Sequence, residues 1–302
     1  MWLFFAFSGP VLWAASTHID KYLVDRYFKN SDTAVLMVFT ALIGLFMLPF
    51  IWWYDPRVLG ISTTAIAVMI ASGIFYMGAM LFYLRAIQVE EASVIAPLFQ
   101  TSTLFTFAIA YVFLGERLKW IQIGGGALIL CGVLFLSFDS SFRFRKLKMQ
   151  LVFLMLACGL VLAVSSVVFK FFAVRDDFWI TTFWTYAGEA LFGVGIIVIP
   201  HYRQQFLALF RQSPGAVIAI NGANELINLG GGLGVRFAYL TAPVALVSAI
   251  SSTTTLFVFG FGILLTIFLP RLGREDLSTR NLVQKGVAAG LVAIGVALIN
   301  LS

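Results

Sequence analysis

The sequence predicts an all-α integral membrane protein of ten transmembrane helices, laid out as two inverted five-helix repeats. Three observations predict it. Hydrophobic residues make up 61% of the 302 and charged residues 11%, against about 25% charged in a soluble domain. Apolar runs long enough to cross a bilayer, about 20 residues each, recur along the whole chain. The halves also repeat each other. Ala14-Ala15-Ser16-Thr17, Lys21-Tyr22 and Arg26 return at the same spacing as Ala163-Val164-Ser165-Ser166, Lys170-Phe171 and Arg175. Likewise, Thr101-Ser102-Thr103-Leu104-Phe105-Thr106-Phe107 returns as Thr253-Thr254-Thr255-Leu256-Phe257-Val258-Phe259. Two matches in the same order point to duplication of a whole unit.

The runs fall at 2–24, 33–54, 61–84, 93–114 and 120–138, then at 150–173, 178–200, 214–238, 243–269 and 282–301. The first lacks the positively charged start of a signal peptide and has an internal counterpart at 150–173, so it reads as a span. Trp52, Trp53 and Trp120 sit where interfacial belts form. The basic stretch Phe142-Arg143-Phe144-Arg145-Lys146-Leu147-Lys148 divides the chain into a first repeat (1–138), a connector (139–149) and a second repeat (150–302). A unit that crosses an odd number of times leaves its copy upside down, so the repeats are expected to share a pseudo-two-fold axis in the membrane plane.

The net charge of +6 does not point to nucleic acid, because the basic residues stand in short gaps between apolar runs. They read as orienting charges. The odd gaps hold Lys21, Arg26, Lys29, Arg85, Arg143, Arg145, Lys146, Lys148, Arg203, Arg211, Arg271, Arg274, Arg280 and Lys285. The even gaps hold Arg57, Arg117, Lys119, Lys170, Arg175 and Arg236. By the positive-inside rule both termini then lie outside the cytoplasm. Cys131 and Cys158 lie within apolar runs and read as small buried hydrophobes without disulfide or metal.

Leu114-Gly115-Glu116-Arg117-Leu118 is followed by Gln122-Ile123-Gly124 and Gly132-Val133, and preceded by Tyr83-Leu84-Arg85-Ala86 and Ala92-Ser93. Leu12-Trp13-Ala14 with Lys21, and the closing Gly286, Gly295 and Val296, complete the set. Over nearly its whole length the chain resembles the EamA-type transporters of the drug/metabolite transporter superfamily, whose members carry two five-span repeats. The resemblance implies a metabolite, amino acid or drug-like solute, and cytoplasmic termini, against the charge distribution. Two departures stand out. Thr103 and Thr255 occupy the places where members often have a proline, with Pro97 a turn and a half earlier. The second repeat lacks the Gly-Glu-Arg turn and has a longer polar loop at Arg271–Arg280.

Ionisable side chains in a span face a cavity or a partner, which singles out Glu189 and Glu225. A carboxylate in low dielectric can exchange protons near neutral pH and couple transport to a proton gradient. Asn221, Asn224, Glu225 and Asn228 stand at i, i+3, i+4 and i+7 on one helical stripe and belong against the bundle interior or a wet cavity. Gly230-Gly231-Gly232 and Gly234 follow, fit either to loosen that helix or to pack it closely. Ala14, Thr17, His18 and Lys21 form a second stripe, mirrored by Ala163, Ser166, Val167 and Lys170; the two lysines read either as snorkelling helix ends or as a symmetric pair that gates a cavity or meets an anionic group. Gln100, Thr103, Ser252 and Thr255 lead the repeated hydroxyl-rich stretches. Trp13, Tyr76, Tyr83 and Trp184 offer apolar faces with polar tips. Gly286 and Gly290 read as a packing motif, and Glu116 with Arg117 as a structural pair.

Together these residues predict a secondary transporter, an exporter of a small polar or amphipathic solute working by alternating access. Carboxylates, amides and lysines around aromatic rings suit a zwitterion such as an amino acid. The expected partners are that solute and the lipid of the cell membrane (inner or plasma), with no cofactor; a monomer is the expected working unit, with a dimer left open. A channel or a non-transporting sensor on the same scaffold stays open. An intramembrane enzyme is disfavoured: the two histidines, His18 and His201, lie far apart, and the sequence has no His-Glu-x-x-His and no Gly-x-Ser-x-Gly. Without a nucleotide-binding P-loop, ATP is not expected to drive transport directly.

Overall fold

The computed structural model describes residues 1–26, 32–89, 98–136, 149–212, 214–268 and 278–301. Residues 139–148 of the connector, 271–277 of the polar loop, and Pro97 lie outside the described residues. The described residues are helical, without strands. In chain order they form α1 (Trp2–Arg26), α2 (Thr33–Tyr54), a 3-10 turn (Pro56–Leu59), α3 (Thr63–Val89), α4 (Thr101–Ile109) running into a π-helical turn (Ala110–Leu114), α5 (Trp120–Leu136), α6 (Met149–Arg175), α7 (Phe178–Val198), α8 (Pro200–Gln212), α9 (Pro214–Thr241), α10 (Val244–Ser251), α11 (Thr254–Phe268) and α12 (Thr279–Asn300).

Among the described residues six stretches are long and apolar enough to cross a membrane: Thr33–Tyr54, Thr63–Ala86, Leu151–Arg175, Phe178–Val198, Val244–Phe268 and Leu282–Asn300. The apolar stretches Thr101–Leu114 and Trp120–Phe135 are shorter. Helices α1 and α9 have the length, 25 and 28 residues, but each carries several polar and charged side chains. Those polar groups are the raw material of the site.

Capping and glycine set the local boundaries. Asp32 and Asp177 accept from the free N–H groups of Ala34 and of Trp179 and Ile180 at the starts of α2 and α7, which satisfies donors a helix cannot pair internally. Gly115 closes the π turn with φ +65, a left-handed conformation glycine adopts without Cβ strain, and so aims the following Glu116 back at the bundle. The ninth predicted run breaks without an internal proline: α10 stops and α11 begins across Ser252–Thr253. Ser252 and Thr254 hydroxyls donate to the carbonyls of Ala249 and Ser251, meeting acceptors the break releases.

The helices close on small residues, as lipid-embedded bundles do. A Cβ on Gly9 or Gly234 would strike Val235 or Ser8, and one on Gly231 would meet Trp13 at 3.0 Å, so α1 and α9 cross with backbones nearly touching. Helix α9 runs unbroken from Pro214 to Thr241. The glycine run therefore packs the helix and does not loosen it. Helices α5 and α12 meet reciprocally: a Cβ on Gly125 would lie 2.6 Å from the Gly295 carbonyl, and one on Gly295 equally close to the Gly125 carbonyl. Gly286 and Gly290 face open space, so the Gly-x-x-x-Gly pair is not the packing surface. Cys158 is buried and donates to the Ala79 carbonyl, while Cys131 is exposed and not buried as its apolar surroundings suggested.

The helix pairing survives exchange of the halves. Helix α1 packs on α9 as α6 packs on α3; α4 packs on α6 as α10 and α11 pack on α1; α3 packs on α7 as α9 packs on α2; α2–α7 and α5–α12 pair with each other. Helix α8, which the sequence reading left as a gap, lies against α2, α7 and α9, with Leu209, Tyr202 and Phe206 turned towards Val35 and Phe39.

Candidate functional site

The bundle has two distinguishable ends. The first holds the start of α1, where Phe5 stacks on Phe237 and Phe237 on Phe178. The second holds the start of α2 and all of α8, where the Asp32 N–H donates to the Gln205 Oε1 and Arg85 donates to the Tyr202 hydroxyl. Between them runs the polar stripe of α9. Asn221, Asn224 and Glu225 are 1%, 0% and 7% exposed, so none of the three faces lipid. Asn228 is half-buried.

Near the middle, Glu189 of α7 accepts from the guanidinium of Arg236 on α9 at 2.8 Å. Arg236 lies 4.7 Å from the Tyr186 ring centre and 5.1 Å from that of Phe169, contacts that stabilise a desolvated cation. Its second terminal nitrogen, Nη1, is buried with no hydrogen-bond partner among the described residues. Tyr76 of α3 lies within electrostatic reach of this pair. Towards the second end, the Thr40 hydroxyl of α2 donates to Glu225 at 3.1 Å, and the Asn224 amide donates to Asp20 of α1 at 2.6 Å. Asn221 Nδ2 and Asn224 Oδ1 are buried without hydrogen-bond partners among the described residues.

At the first end, Lys170 donates to Glu116 at 2.6 Å and to the Ala242 carbonyl at 2.7 Å, and Glu116 also accepts the Val244 N–H at 3.0 Å. One ion pair thus ties α6, the turn after α4 and the α9–α10 connection. The expected Glu116–Arg117 pair is replaced by this longer-range one, because the left-handed Gly115 turns Glu116 inward.

The remaining predicted residues fall at several places. Trp13 packs at the glycine crossing of α1 and α9. His18 Nε2 lies 2.9 Å from the Val258 carbonyl on α11. Thr17 is exposed and bonds back to Trp13. The side chain of Lys21 lies outside the described residues. Tyr83 stacks on Phe99. Gln100 and Thr103 are buried, Thr103 reaching the Ser248 carbonyl at 3.4 Å; Ser252 is buried and bonds back to its own helix; Thr255 is half-buried. The Trp184 indole donates to the Val58 carbonyl at 2.7 Å, a bond that fixes the turn after α2 at the first end.

Two ionisable residues of the site, Arg236 and Asp20, are not among the candidates the sequence singles out. Arg236 was counted as a loop charge, yet it follows Glu225 by eleven residues, about three helical turns, and so lies on the same stripe. Asp20 lies one residue off the Ala14-Thr17-His18-Lys21 stripe, and its partner is 204 positions away. A groove of about 610 Å³ lies apart from this polar core, between α1, α11 and α12.

Long apolar helices enclosing buried charge pairs define a multi-pass membrane protein. Residues 1–138 match the EamA-like transporter family, which bears out the resemblance to the drug/metabolite transporter superfamily. No curated protein matches the chain. A solved crystal structure, 17% identical, aligns over 99% of this chain and 96% of its own with a TM-score of 0.72; at that identity the likeness is one of fold.

Proposed function

We propose that this chain is a secondary active transporter, an exporter of an amino-acid-like zwitterion that works by alternating access in the cell membrane. The scaffold would be ten crossings in two inverted repeats, residues 1–138 and 150–302. The helix pairing that survives exchange of the halves, and the reciprocal Gly125–Gly295 contact, support that reading.

The observation that carries the substrate class is the Glu189–Arg236 pair. It offers a carboxylate and a guanidinium side by side, between α7 and α9, against the Tyr186 and Phe169 rings. Arg236 Nη1 has a donor to spare, so a solute carboxylate can bind there while its ammonium group meets Glu189. A buried donor without a partner costs about 1–3 kcal/mol, and a ligand that pairs it recovers that cost. Thermal unfolding of the detergent-purified protein tests this with amino acids set against their amides and their decarboxylated amines. Free amino acids should stabilise, and both truncated series should fail. Equal shifts from the amines would remove the carboxylate assignment. Saturable counterflow in liposomes separates a carrier from a channel, and binding without flux would mark a sensor.

A further inference from the structure

We propose that Asp20 and Glu225, joined through Asn224, form a proton-carrying site separate from the Glu189–Arg236 pair. This rests on the carrier reading above. The two spanning glutamates look alike in sequence but differ in company. Glu189 has a cation at 2.8 Å. Glu225 is buried, accepts from the Thr40 hydroxyl, and among the described residues pairs with no cation.

The neighbours of Glu225 sharpen the contrast. From α1 it faces Asp20, a second carboxylate, within electrostatic reach. From α2 it faces Thr40, and on its own helix Asn228. From α3 Tyr76 lies within electrostatic reach of Glu225 and Tyr83 within reach of Asp20, and from α7 Glu189 lies within reach of Glu225, its charge answered by Arg236. The lysine of α6, Lys170, is turned away to Glu116 at the first end. Of α8, Tyr202 bonds Arg85 and His201 bonds Gln205, and the exposed Arg203 and Arg211 lie at the second end. Helix α10 carries no titratable residue. The side chain of Lys21 is outside the described residues.

Among the described residues no cation meets Glu225, and an ionised carboxylate held so in a low-dielectric interior is costly, so it takes up a proton or an ion. Two neighbouring carboxylates cannot both be ionised cheaply, and one proton between them is the stable arrangement. Asn224 is built for that state. Its amide nitrogen donates to Asp20 at 2.6 Å, and its buried carbonyl oxygen has no donor among the described residues. A carboxyl group becomes a donor only when protonated. One proton would thus be taken up by the carboxylate pair from water on one side and released to the other, as the solute crosses in the opposite direction.

Infrared difference spectra of the full-length protein in liposomes, stepped from mildly acidic to mildly alkaline pH with no solute present, test the site. The parent should lose a protonated-carboxyl stretch on the alkaline step. That band should vanish in Glu225→Gln, move in Asp20→Asn, and stay in Glu189→Gln. A band unchanged in Glu225→Gln overturns the proposal. So does a band removed at constant pH by sodium in place of choline, which would make the ion a metal cation. Should Glu225→Gln fail to fold, Thr40→Val gives the second reading: loss of its hydrogen bond must shift the band, and no shift overturns the assignment. Because the band is read without solute, its failure leaves the zwitterion site standing, and failed amino-acid binding leaves the band standing.

Discussion

At the first end of the bundle Lys170 and Glu116 meet at 2.6 Å with side chains 16% and 10% exposed; at the second end Arg85 and Asp32 stand 3.9 Å apart, 41% and 31% exposed. The buried pair has extra backbone partners in the Ala242 carbonyl and the Val244 N–H, at the close of α9 and the start of α10. A lysine beside the last carbonyls of one helix and a carboxylate beside the first N–H of another both complement the helix dipoles. The exposed pair is supported by neutral bonds to Tyr202 and Gln205. The same kind of contact therefore does different work at the two ends. Parting the helices at the second end costs little, while parting them at the first means releasing a desolvated pair.

The largest effect should come from cutting that pair on one side. Lys170→Met or Glu116→Gln leaves a buried partner stranded and should cost about 3–5 kcal/mol, read as lost stability in chemical unfolding of the purified protein. The double variant strands neither partner and should recover most of it. Single variants within about 1 kcal/mol of the parent would mean that the pair is solvated, and the contrast between the ends would fail.

Next in size are the crossings that hold the halves together. Gly125→Ala would drive a methyl into the Gly295 carbonyl and should cost about 1–3 kcal/mol. Gly286→Ala meets nothing within 4 Å and should stay within about 0.5 kcal/mol of the parent, like other surface substitutions. Thermal unfolding of the two side by side decides it; equal losses would contradict the packing.

What the sequence made legible is what periodicity encodes. The apolar runs marked most helices to within a few residues, and the i, i+3, i+4, i+7 spacing put Asn221, Asn224 and Glu225 on one stripe that the structure buries. Partner choice was not legible, because it is settled between helices. Lys170 and Glu116 lie 54 positions apart, and Asp20 and Asn224 204. A Gly-x-x-x-Gly spacing says that a smooth face exists but not which helix meets it, so Gly286 and Gly290 were chosen where Gly125 and Gly295 do the packing. Arg236 was legible in principle. It was passed over because a charge near the end of an apolar run reads first as a loop residue.

At the second end, Arg85→Ala should cost no more than about 1 kcal/mol, the usual worth of an exposed pair, while making that end more reactive to a thiol reagent at a cysteine placed at Gln205. A loss rivalling that of Lys170→Met would erase the difference between the ends.

The smallest effect belongs to another pair at the first end, Asp55 with Arg57, which bond at 2.8 and 2.7 Å in the turn after α2. The Arg57 guanidinium holds the Asp55 carboxyl below the usual carboxylate range. A carboxyl so lowered in the folded state adds stability above its unfolded value, and that stability is lost as pH falls through the folded one. Arg57→Ala should therefore trim stability slightly at neutral pH and not at all once the carboxyl is protonated. Because Arg57 is largely exposed, high salt should mask the difference. A salt-independent loss persisting in acid would mean that Arg57 packs against the turn and does not merely pair with it. It would also show that exposure alone does not separate weak contacts from strong ones at this end.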